Sequence, residues 1–131
     1  AGNAVPDCGI NVKVLQILVL TVRYFDRVGI SDINRRCIGS LLGAGTASSH
    51  YINGGGHAAD FYMLDGQPVT GADGMSLRLL GLLDPVVESG TRAGQSQCRA
   101  AAGVSIRLEN FNQFVDSCDH LHLDVAFSRG T

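Results

Sequence analysis

The stretch NVKVLQILVLTVRYFDRVG carries the first readable period of the chain. Val14, Leu15, Leu18, Val22 and Phe25 recur at three- and four-residue spacing, which predicts a helix from a cap at Asn11 to about Val28. Gly29 is the expected left-handed terminator. ISDIN, residues 30–34, is then a short strand candidate. Residues 39–56 form a glycine-rich loop that includes GAGTASS and NGGG. HAADFYML, residues 57–64, predicts a strand, and LDGQ predicts the hairpin turn after it. ADGMSLRLLGLLDPVVESG predicts a second helix, capped by Asp73 and ended or kinked by Pro85. Residues 89–103 are small and polar, the composition of a surface loop around Cys98. Short apolar pieces follow in VSIRL, and HLHLDV closes the pattern with strict alternation. A helix, then strands interrupted by a helix, predicts one α+β domain over residues 1–131. Its sheet is small and mainly antiparallel, and residues 1–10 form a linker or N-terminal arm.

Composition narrows the partners. The longest apolar run, VLQILVLTV at residues 14–22, is shorter than the roughly 20 residues a membrane span needs, and it lacks a signal-peptide cleavage pattern. Ten basic residues against twelve acidic ones leave a net charge of -2, with no basic patch to hold nucleic acid. The four cysteines form no CxxC pair. Two disulfides in a secreted protein fit that spacing, with Cys8 joined to Cys37 and Cys98 to Cys118. Four reduced thiols in a cytosolic protein remain the alternative.

Candidate chemistry lies in two segments, SSHYINGGGHAAD and DHLHLD, which hold all four histidines of the chain. Alternation puts His120, His122 and Asp124 on one strand face and Leu121, Leu123 and Val125 on the other. A catalytic zinc takes three ligands of the His, Asp or Glu type and keeps a place for water. His50, Asp60 and one histidine of the HLH pair would supply that set, and such ligands suit zinc better than magnesium. Asp119 and His120 stand beside His122 as candidate bases, while Asp124 is placed to orient an imidazole. His57 alternates away from Asp60, so it is expected to pack or to support a ligand from behind. Tyr51 and Tyr62 could contact substrate or pack at the sheet edge. An HxH pair alone also fits packing histidines. No GxSxG nucleophile elbow is present, and the GxG of GAGTAS lacks a phosphate-binding context.

Ser48, His50, Gly56, Ala58 and Asp60, followed much later by DHLH, resemble the motifs of the zinc D-Ala-D-Ala carboxypeptidase family. Its relatives include cell-wall endopeptidases and the hedgehog signalling domain. The pattern is SxHxxGxAxD, here with three extra residues inside INGGG, and then HxH or acid-x-x-His. The resemblance spans residues 30–125. It implies His50, Asp60 and His122 as zinc ligands, with Asp119 as general acid/base and His120 assisting or stabilising the transition state. It also implies Ser48 at the substrate site and an upstream arginine, Arg35 or Arg36, on the scissile carbonyl. The activity implied is a zinc peptidase acting on peptidoglycan stem or cross-bridge peptides, and the protein is expected to be secreted and monomeric. Two other classes stay open: a zinc-containing binding module of the hedgehog type, and a disulfide-stapled structural domain.

Overall fold

The computed structural model describes residues 10–32 and 56–125. Helix α1 spans Val12–Tyr24, and the Asn11 side chain accepts the Lys13 backbone N–H at its start. It is shorter than the periodicity predicted. Phe25 turns to extended backbone at φ -127°, because the chain enters strand β1, Val28–Asp32, three residues later. Gly29 therefore lies inside a strand and is not a helix terminator. A Cβ at Gly29 would stand 2.6 Å from Cζ of Tyr62, so only glycine lets that ring lie flat across β1.

The buried face of α1 also differs from the expected one. Val14, Ile17, Thr21 and Phe25 face inward, whereas Leu15 and Val22 are 48% and 60% exposed. The helix is apolar almost all round, so periodicity alone could not phase it.

Strand β2, Ala58–Leu64, turns through Asp65 and Gly66, at φ 51° and 78°, into the short β3, Gln67–Pro68. Two consecutive residues at positive φ make the two-residue hairpin that LDGQ predicts. Helix α2, Gly74–Leu83, starts where the Asp73 carboxylate accepts the Ser76 N–H, and it ends before Pro85.

Residues 89–103 are not a surface loop. They contain β4, Thr91–Ala93, and helix α3, Ser96–Ala101. β5, Phe111–Gln113, and β6, Leu121–Asp124, complete the described elements. The 104–108 piece has no regular structure, although Ile106 and Leu108 pack on the core.

The sheet runs β1-β2-β6-β4-β5, with β3 on β2. Only the β4–β5 pair is parallel. The fold is thus α+β with a mixed, mostly antiparallel sheet of six strands among the described residues. One sheet face is the core: Ala59, Phe61, Leu121 and Leu123 pack with Val14 and Ile17 of α1 and Leu79, Leu80 and Leu83 of α2. Buried Asp84, just past α2, accepts backbone N–H groups from Glu109, Asn110 and Phe111 and so fixes the entry to β5.

A Cys98–Cys118 disulfide ties α3 to the turn before β6. Cys8 and Cys37 lie outside the described residues, as do the ISDIN residues past Asp32. Among the described residues no helix is long and apolar enough to cross a membrane.

Candidate metal centre

β2 and β6 are neighbours at the middle of the sheet, and their register sets Asp60 directly opposite His122. Side chains paired across an antiparallel ladder point to the same face at close range. Nδ1 of His122 accordingly lies 2.9 Å from Oδ1 of Asp60. The other ring nitrogen, Nε2, is 2.8 Å from Oδ2 of Asp124, two residues along the same strand face.

Asp124 is fully buried and is held from its far side by Arg92 of β4. The guanidinium Nε donates to both carboxylate oxygens at 3.1 Å, and a terminal nitrogen reaches Oδ2 at 2.8 Å. Arg92 in turn stacks 4.5 Å over the Phe114 ring, which meets the His122 imidazole nearly edge-on at 5.2 Å.

These contacts set the charges. Burial would raise the pKa of Asp124, but hydrogen bonds from His122 and Arg92 bring it below the usual carboxylate value. Burial would likewise lower the pKa of His122. Hydrogen bonds to Asp124 and Asp60 prevail and raise it to about 9. Near neutral pH the ring is therefore an imidazolium clamped between two carboxylates.

His120 stands in the turn just before β6, and its two nitrogens serve different partners. Nδ1 is 2.7 Å from Oδ1 of Asp119. Nε2 faces inward, 3.0 Å from Oδ2 of Asp116, 3.3 Å from the Gln95 amide nitrogen and 3.6 Å from Oδ1 of Asp60. Asp119 is largely exposed. Its hydrogen bonds with His120 and the Ser117 hydroxyl hold it below the ordinary carboxylate pKa. It contacts His120 on the ring nitrogen opposite to the one facing Asp60.

Asp60, His120 and His122 each offer a ligand atom, and these atoms all lie within 4.8 Å of one another. Two ligands on a tetrahedral ion at about 2.0–2.1 Å are roughly 3.3 Å apart. The 2.9 Å and 3.6 Å separations from Asp60 bracket that spacing. One carboxylate and two imidazoles, with Asp124 behind His122, are thus a donor set that could hold a metal ion.

Of the residues singled out in the sequence, Asp60, Asp119, His120, His122 and Asp124 come together. Arg35, Arg36, Ser48, His50 and Tyr51 lie outside the described residues. His57 is buried just before β2, and among the described residues its Nδ1 has no hydrogen-bond partner. Tyr62 is half exposed over Gly29 at the sheet edge.

Arg92, Gln95, Phe114 and Asp116 were not anticipated. Arg92 and Gln95 fall in the stretch whose small, polar composition suggests a loop. The signal there was TRAGQSQCR, which carries more arginine and glutamine than a plain turn needs. No family model, curated protein or solved structure matches the chain.

Proposed function

We propose that the chain is a zinc-dependent peptidase whose ion is held by Asp60, His122 and one further imidazole. The observation that carries this reading is the line Arg92–Asp124–His122–Asp60. A carboxylate on Nε2 fixes the tautomer that leaves Nδ1 for a metal, the usual support of a ligating histidine. When bound, zinc would polarise a carbonyl and lower the pKa of a water to about 7.

The protein's own groups supply the proton traffic. Asp119 accepts from Nδ1 of His120 and so turns Nε2 toward Asp60 as an acceptor. Nε2 can then take a proton from the attacking water and return it to the leaving amine. With His50 as the third ligand, this assigns the base role to His120 and makes Asp119 its orienting partner. The peptidoglycan-peptide substrate rests on the resemblance, and the secreted location of this monomeric protein rests on its cysteine usage. The Cys98–Cys118 disulfide is compatible with an oxidising compartment.

Two residues compete for the third ligand position. The resemblance points to His50, whereas the grouping of donor atoms favours His120. Metal content of His50→Ala and His120→Ala decides between them. With His50 as ligand, His50→Ala loses zinc, while His120→Ala keeps zinc but loses chelator-sensitive hydrolysis of cell-wall peptides. With His120 as ligand, the metal loss falls on His120→Ala. Zinc uptake by the parent without turnover of any peptide would favour a binding module.

A further inference from the structure

Gln95 stands out on three independent grounds. It is fully buried, it is one of two non-glycine residues at positive φ among the described residues, and its side chain touches both halves of the centre. Its backbone sits at φ 68°, ψ 27°, a left-handed conformation that disfavours any residue with a Cβ. A position that only had to turn would take glycine. Retention of glutamine there implies a use for the side chain.

That use is visible in its hydrogen bonds. Oε1 accepts the backbone N–H of His122 at 2.9 Å, and this donor fixes which end of the amide is oxygen. Nε2 then faces Oδ2 of Asp116 at 3.2 Å and Nε2 of His120 at 3.3 Å. Its two N–H groups can serve both, one each.

The surroundings hold the amide in place. A Cβ on Gly71 would come within 2.3 Å of Cβ of Gln95, so that glycine makes room for it. Buried Arg99 donates to the carbonyls of Gly71 and Gly94 at 2.9 and 2.7 Å, and clamps the chain on both sides. The disulfide and the Gln97–Asp116 hydrogen bonds attach the Asp116 turn to the same helix.

We infer that Gln95 is a positioning residue, which locks the turn carrying His120 to the strand carrying His122 so that both imidazoles face one point. The kinetic part of this inference rests on the reading of His120 as the base. The positional part does not.

Two variants test it. Gln95→Gly suits the left-handed backbone and removes the whole side chain. Gln95→Glu keeps the acceptor for the His122 N–H but loses both donors. The readouts are histidine ring signals in 15N NMR, zinc content and steady-state hydrolysis. Both variants should take up zinc, shift or broaden the His120 ring signals, leave those of His57 in place, and lose kcat by about tenfold or more with KM moved less.

Unchanged His120 signals and parental kcat in Gln95→Gly would overturn the inference. A lowered melting temperature with parental kcat below it would also do so, because it would show a purely structural role. Should the parent itself hydrolyse no peptide, the peptidase reading fails. The ring signals then decide the positional claim alone, moved or unmoved.

Discussion

Asp124→Ala is expected to weaken zinc binding by about 10–100-fold and to destabilise the metal-free fold by about 3–5 kcal/mol. The two effects have separate causes. Asp124 is fully buried and satisfies two cationic groups, Arg92 and the His122 ring. Removal of a carboxylate from a buried ion pair leaves the partner charge uncompensated, which is why the stability loss is large. The affinity loss arises because Nε2–H of His122 no longer has an acceptor that holds the other nitrogen free for metal.

Asp124→Asn separates these causes. The amide keeps the volume but can present an N–H to Nε2, which would drive the ring proton onto Nδ1 and block the ligand position. Competition against a chromophoric chelator measures the affinity, and thermal unfolding measures the fold. Parental zinc affinity in Asp124→Asn would show that Asp124 does not set the tautomer.

Zinc affinity should also rise steeply with pH. The site must lose the His122 Nδ1 proton before a metal can take that place, and the raised pKa, about 9, means that proton is present at neutral pH. Below that value each pH unit should cost about tenfold in apparent affinity, so about a hundredfold separates pH 6 from pH 8. Calorimetry in buffers of different ionisation enthalpy should count one proton released per ion at pH 7.

The metal-free fold has the opposite dependence. A histidine whose pKa is raised on folding, here from 6.5 to about 9, contributes fully below the lower value and loses its contribution as pH rises through the higher one. Asp124, whose pKa is lowered, contributes above the ordinary carboxylate value and loses it only in acid. The melting-temperature gain on adding zinc should therefore grow between pH 6 and pH 9. A gain that stays constant over that range would contradict a metal on Nδ1 of His122.

The central strands were legible because their alternation is strict. Leu121, Leu123 and Val125 could only face a core, so His122 and Asp124 had to share the opposite face. Asp60 could be placed on a strand, but its pairing with His122 is a matter of register across 62 residues, which no local pattern encodes. The end of α1 was misplaced because Val22, Phe25 and Val28 keep a three-residue spacing past Tyr24, and Asp26 and Arg27 between them suit the exposed face of a helix. Gly29 resembles a terminator until Tyr62 is seen lying over it.

β4 and α3 were missed for a different reason. Three and six residues are too few to display a period, and Arg92, Gln95 and Arg99 are polar because they support buried polar groups. Composition rules read such residues as exposed. The division of labour between Asp119 and His120 depends on which ring nitrogen faces inward, and only coordinates supply that.

The most direct test is diffraction at the zinc absorption edge from crystals of the chain grown with zinc. One anomalous peak bonded to the Asp60 carboxylate, to Nδ1 of His122 and to one further imidazole is the predicted result. A peak elsewhere, or an Asp60–His122 hydrogen bond left intact with saturating zinc present, would contradict the account.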